Sequence, residues 1–339
     1  ALLRRAAVAH GLRAAAGRLA AVSPVSKMRT TMDTQPDELR RLLGDTDCTR
    51  AAAERIAGRR TWLVGIGTSW HAAHHGAWLL GEAGVDARAV HAADIAQYGP
   101  GFDASDAVIV LSHTGHTGYT TQALESAGSA GAAIVNVSGV GNGGDVETVP
   151  PETSYAYTAS HTGALLRLAQ IAEALGASLG DLSAVPDAVS RVLAAPGPVI
   201  EPPARLVELI GAGPNAWTAQ EGALKIRESA YVATEGLSSE QFLHGPSVAL
   251  DEQDTLVVLD GGGPGAERTQ GIASAMEVTG ARVVRLSERD LGEALSVFPL
   301  TVWVQRIAVE LAEARGVSPD RFRYEEDPRR EEAIESLGF

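Results

Sequence analysis

At 339 residues and 45% apolar content, the chain is long enough for two domains, each with a core of its own. A net charge of −14 argues against a nucleic-acid partner, although local amides and hydroxyls can still hold a single phosphate. The lone cysteine, Cys48, excludes an internal disulfide and any multi-cysteine metal site.

Residues 1–27 hold five basic residues and no acidic one. They read as an N-terminal extension outside the fold, disordered or upstream of a natural start at Met28 or Met32. Arginines interrupt them too often for a signal peptide or membrane span, so a cytoplasmic protein with no membrane partner is expected. Residues 28–60 are expected to be helical. MRTTMDTQPDELRRLL suggests an amphipathic helix entered through Gln35-Pro36-Asp37, with the proline near its first turn.

A rhythm of strand, loop and helix then begins. Apolar runs at 61–67, 106–112 and 132–139 alternate with helical patterns at 69–84, from Thr117, and at 159–176. This predicts βαβ units and a parallel sheet over 61–193. Four prolines mark 194–205 as a linker. The rhythm restarts over 206–339. Strands are expected at 204–213, 255–263 and 281–288, a helix through Glu221, and a long helix at 299–316, before a C-terminal tail. The halves read as internal repeats, whose ligands should bind at the carboxyl ends of the strands.

Two loops at such strand ends carry hydroxyls. Gly65-Ile66-Gly67-Thr68-Ser69 and Ser112-His113-Thr114-Gly115-His116-Thr117 each lead into a helix N-terminus, and together they form a cradle for a phosphate monoester. Neither is a dinucleotide fingerprint or a P-loop, so no nucleotide cofactor is expected. In EGALKIRESAYVATEGLSSEQFLHGP, Glu221, Lys225 and Glu228 fall at i, i+4 and i+7 on one helix face, with His244 on the loop beyond. Carboxylates, an ammonium and an imidazole can supply a base, an acid and a charge to tune them. The bland alternative is a solvated helix face. His71, His74 and His75 share another helix face, and His113, His116 and His161 stand on nearby loops. A metal among them is the minor reading, and none is expected.

GIGTS, the hydroxyl loop at 112–117, and EGALKIRES followed by FLHGP resemble the tandem sugar isomerase (SIS) domains, most of all the isomerase half of glucosamine-6-phosphate synthase. The resemblance runs from about Met28 to Arg315. It implies two flavodoxin-like subdomains, each a parallel sheet in a three-layer αβα arrangement, a sugar phosphate as ligand, and a homodimer. It places phosphate binding on Ser69, Ser112, Thr114 and Thr117, with Thr68 and His113 in the same loops, and sugar contact on Ser160. It makes Glu228 the catalytic glutamate, His244 the ring opener, reaching a neighbour's site, and Glu221 and Lys225 the supporting pair.

The departures narrow the chemistry. No glutaminase segment or N-terminal nucleophilic cysteine is seen, and His113 stands where the family has glutamine. The tail YEEDPRREEAIESLGF has no lysine to form a Schiff base. These features point toward stand-alone SIS enzymes that isomerise, deaminate or deglycate aminated sugar phosphates of the fructosamine and glucosamine 6-phosphate class. A separate subunit donating ammonia or an amine, and a non-catalytic sugar-phosphate sensor or regulatory subunit, are the alternatives.

Overall fold

The computed structural model describes residues 25–99, 101–115 and 118–337. The expected extension, as far as residue 24, lies outside these residues, and so do His116 and Thr117.

Helix α1 (Lys27–Leu43) starts at Ser26, whose Oγ accepts from the Arg29 amide at 3.2 Å. Pro36 lies inside this helix, not in its first turn as expected from the sequence. A proline there leaves the carbonyl of Met32, four residues back, without its usual donor. The Gln35 side chain supplies one at 3.1 Å. The same amide donates to Gln305 at 2.9 Å and accepts from Thr162 at 2.8 Å. The proline's neighbour thus repairs the break and pins α1 to two later helices.

After α2 (Asp47–Ile56) come β1 (Thr61–Gly65), α3 (Thr68–Glu82), β2 (Ala87–His91), α4 (Ala92–Tyr98), β3 (Ala107–Leu111), α5 (Gly118–Ala130), β4 (Ala133–Ser138) and β5 (Val146–Glu147). These strands form a parallel sheet in the order β2-β1-β3-β4-β5. Helices α6 (Ala159–Ala174) and α7 (Val185–Ala194) follow. The second half runs β6 (Leu206–Gly211), α8 (Asn215–Ala230), β7 (Ala233–Ser238), α9 (Ser239–Leu243), β8 (Thr255–Asp260), α10 (Ala266–Glu277), β9 (Arg282–Ser287), α11 (Gly292–Arg315) and α12 (Pro328–Glu335). Its sheet is also parallel, in the order β7-β6-β8-β9. Two parallel sheets flanked by helices are the α/β fold the sequence implied.

The halves repeat in detail. A Cβ on Gly65 would lie 2.3 Å from the Ser69 carbonyl oxygen, and one on Gly211 would lie 2.4 Å from that of Asn215. Only glycine lets the helix start so close to the strand end. Gly76 and Gly222 repeat in the same way under Leu63 and Leu209, where a Cβ would come within 2.6 Å and 2.8 Å.

The segment between the halves is anchored. The Val199 amide donates to Glu310 at 2.8 Å, and Gly197 lies against the Arg306 guanidinium. Helix α11 begins seven residues before the expected start and contains Pro299. It is long and apolar enough to cross a membrane, yet 83% of its most apolar window is buried, which marks it as a core helix. Phe298 and Val302 pack into the first core, and Val304 and Ile307 into the second. Helix α1 bridges the same two cores through Leu39 and Leu42 at one end and Met28 and Met32 at the other.

Candidate active site

The chain leaves β1 for β2 on one side of the first sheet and returns to β3 on the other. That reversal opens a crevice at the carboxyl ends of β1 and β3. A cavity of about 800 Å³ occupies it. Thr68 and Ser69 reach it from the β1 loop, Ser112, His113 and Thr114 from the β3 loop, and Ser160 from the start of α6. Lys225 and Glu228 enter from α8 in the other half. Thr117 lies outside the described residues.

The α8 side chains form a chain of charge. Lys225 Nζ lies 2.7 Å from Glu228 Oε2 and 3.5 Å from Glu221 Oε1. Glu221 is fully buried behind the cavity wall. It accepts from Thr68 Oγ1 at 3.2 Å and pairs with His71 Nδ1 at 2.7 Å. Burial opposes its charge, but Lys225, His161 and His71 outweigh that and hold Glu221 down to about 2. Burial likewise works against the Lys225 ammonium, yet Glu228 and Glu221 leave its pKa raised. For Glu228 burial wins over the Lys225 attraction, and its pKa is raised above the usual carboxylate value. A carboxyl raised in this way, facing a cavity, suits a group that takes up and returns a proton. Among the described residues lining the cavity, Lys225 is the only lysine or arginine.

The hydroxyl loops are braced from outside. Ser112 Oγ accepts from the Gly115 amide at 3.2 Å. The His113 carbonyl accepts from Asn142 Nδ2 at 2.7 Å and from the Gly139 amide at 2.9 Å. The His113 ring packs edge-on to Tyr157 with centroids 5.2 Å apart, and burial lowers its pKa, so it stays neutral. It fits because Gly139 has no Cβ; one there would meet the ring at 2.7 Å. Ser160 is positioned by Glu152, a residue the sequence did not single out. The Glu152 carboxylate accepts from the amides of Ser160 at 2.6 Å and Thr158 at 2.9 Å, placing negative charge at the N-terminus of α6. Only its place just before a helix could have signalled this. Tyr155 and Tyr157 on the same loop, and Phe322 and Tyr324 on the tail, also line the cavity and carried no motif.

His244 stands apart. Its side chain is 71% exposed, its carboxylate neighbour is Glu240 at 3.6 Å, and it does not line the cavity. The helix histidines serve packing. His71 holds Glu221, and His75 bonds the His71 carbonyl at 3.0 Å and Thr218 at 3.1 Å. His74 stacks on Trp217 with centroids 3.4 Å apart. Among the described residues no group of three His, Cys, Asp or Glu is placed to hold a metal ion.

Residues 57–143 match the family model of the SIS domain. This stretch is a SIS domain. Over 327 residues the chain is 29% identical to the glutamine–fructose-6-phosphate aminotransferase of Aeropyrum pernix, a match that takes in 83% of the chain and 53% of that protein. The chain thus spans about half the length of this relative. The glucosamine-6-phosphate deaminase of Thermotoga maritima shares its fold, with a TM-score of 0.73 and 20% identity, covering 88% of this chain and 98% of that one. So does the tagatose-6-phosphate ketose/aldose isomerase of Escherichia coli, with a TM-score of 0.72 and 19% identity, covering 90% of this chain and 98% of that one. The cavity lies in and beside the matched SIS segment, which holds Ser69 and Ser112; Glu228 and Lys225 come from outside it.

Proposed function

We propose that the chain is an enzyme that shifts a proton between C1 and C2 of an open-chain aminated sugar phosphate and releases the amine. The observation that carries this reading is the Lys225–Glu228 pair, 2.7 Å apart, facing a cavity whose other end is lined by hydroxyls and a helix start. The phosphate sits against Ser69, Ser112 and Thr114 near the start of α5, where a helix N-terminus favours an anion. With a 1-amino-1-deoxyfructose 6-phosphate, Glu228 removes a proton from C1. The C2 oxygen gains charge and is stabilised by the Lys225 ammonium. Glu228 returns the proton to C2, and the proton lost by the amine nitrogen goes to the C2 oxygen, which leaves a C1 imine and a C2 hydroxyl. Water adds to the imine and the C1–N bond breaks, giving glucose 6-phosphate and the free amine. With a hydroxyl in place of the amine, the same shift is an aldose–ketose isomerisation. Phosphorylated sugars do not cross membranes unaided, which supports a cytoplasmic setting.

His244 belongs to this reading only in a dimer. It is exposed and outside the cavity within one copy, so we propose that it reaches the cavity of a second copy and opens closed-ring substrates there. Light scattering of the purified chain should give a dimer; a fully active monomer would remove His244 from the mechanism. Turnover is tested with fructosamine and glucosamine 6-phosphates, following glucose 6-phosphate or fructose 6-phosphate and the released amine. Tight binding by calorimetry with no product from any of them would favour the sensor reading instead.

A further inference from the structure

The mouth of the cavity is lined differently from its base. Tyr155, from the loop before α6, stacks on Phe322 of the tail with ring centroids 5.2 Å apart and planes 23° apart. Phe322 packs against Tyr324 at 5.4 Å. Ile334 of α12 and Leu337 extend the same wall. Tyr157 and Tyr324 line the same cavity as Lys225 and Glu228.

The tail is fixed independently of these rings. Asp320 accepts from the amides of Lys27 and Met28, both at 2.9 Å, and Tyr231 Oη donates to the Arg321 carbonyl at 2.7 Å. Tyr155 stays 55% exposed and Leu337 79% exposed, which is costly for large apolar groups unless something covers them. A hexose phosphate would not do so. It is small beside a cavity of about 800 Å³, toward the upper end of the roughly 300–1,000 Å³ range of small-molecule sites, and leaves the mouth for a further group. The carboxylates of Glu325, Glu228 and Glu331 all act on the Tyr324 hydroxyl, behind burial, and they disfavour an anionic group beside it.

We propose that this wall is a subsite for an uncharged apolar N-substituent, aromatic or aliphatic, on the aminated sugar phosphate. The inference rests on the function proposed above and adds the class of amine. Tyr155 and Phe322 are its specificity-determining residues.

The test compares 1-benzylamino-1-deoxyfructose 6-phosphate with the carboxymethylamino analogue, by kcat/KM and by calorimetric affinity. The benzyl compound should be preferred by roughly tenfold or more, the scale of discrimination by one apolar group in a pocket. Tyr155→Ser, on a loop outside the tail, should bring the ratio close to one. Phe322→Ser should do the same, and Phe322→Leu should restore most of the preference. Equal values for the two compounds in the native chain would overturn the inference while leaving the proposed function standing. A preference that survives both serine variants would also overturn it, because the rings would then only hold the tail. If neither compound binds, nor any other sugar phosphate, the proposed function falls and this inference with it.

Discussion

Lys225 carries the electrostatics of the site. Its ammonium lies between two carboxylates, 2.7 Å and 3.5 Å away, and only 1% of its side chain is exposed. Lys225→Met would leave Glu221 and Glu228 without their shared counter-charge. Breaking a buried ionic group in this way costs about 3–5 kcal/mol. Urea unfolding should show a loss of that size, and a loss under about 1 kcal/mol would mean the charges are far better solvated than the geometry implies. His161 offers a pH test. It is buried, neither ring nitrogen makes a well-formed hydrogen bond, and burial lowers its pKa to about 4. Between roughly pH 6.5 and 4 the unfolded chain takes a proton that the folded chain refuses, so stability falls as pH falls through that window. Glu208, raised to about 7 by burial, gains stability as pH falls over much of the same range. The comparison of His161→Leu with the native chain isolates the histidine. The variant should lose less stability between pH 7 and pH 4, and an identical pH profile would contradict this. The spacing of Glu221, Lys225 and Glu228 was legible because one-turn intervals dictate one face. Which of them meets the cavity was not, because that depends on how α3 docks His71 and Thr68 onto α8.

At the scale of elements, the β1–α3 turn places Thr68 and Ser69 at the cavity, the end proposed to hold the phosphate. Gly65→Ala would push a methyl against the Ser69 backbone, where a Cβ would lie at 2.3 Å, and should disturb both stability and sugar-phosphate affinity. Gly81, in the last turn of the same helix, has open space around its Cβ position. Gly81→Ala should therefore stabilise by about 0.5–1 kcal/mol through helix propensity. Thermal unfolding and calorimetry of both variants check the contrast, and equal behaviour would remove the special role of the turn. The central strands β1, β3, β6 and β8 were visible in the sequence because burial on both faces writes continuous apolar runs. The edge strands β2, β5 and β7 were not. ARAVH, VE and ATEGLS are half-exposed or short, and they are strands because a neighbour's ladder captures them. Pro36 and Pro299 misled for the opposite reason, since tertiary packing holds a helix through each of them.

Over the whole molecule, α1 and α11 each place side chains in both cores, so the two halves share one interior. That arrangement lets α8 of the second half deliver Glu228 to a crevice made by the first sheet. The repeat was readable from glycine and strand spacing, whereas the asymmetry was not. In the second half Asn215 bonds Ser296 at 2.9 Å beside Gly261, where a Cβ would meet Ser296 Oγ at 2.0 Å, so the crevice corresponding to the first is packed shut. Under the proposed function, the first half binds the sugar phosphate and the second half supplies the base. The most direct measurement is solvent deuterium entry at C1 or C2 of a bound aminated sugar phosphate, followed by NMR in the native chain and in Glu228→Gln. The account predicts exchange in the native chain. In the variant it predicts a loss of about 10²–10⁴-fold with affinity kept, because glutamine fills the same space and cannot take the proton. Exchange at the native rate in Glu228→Gln would contradict it.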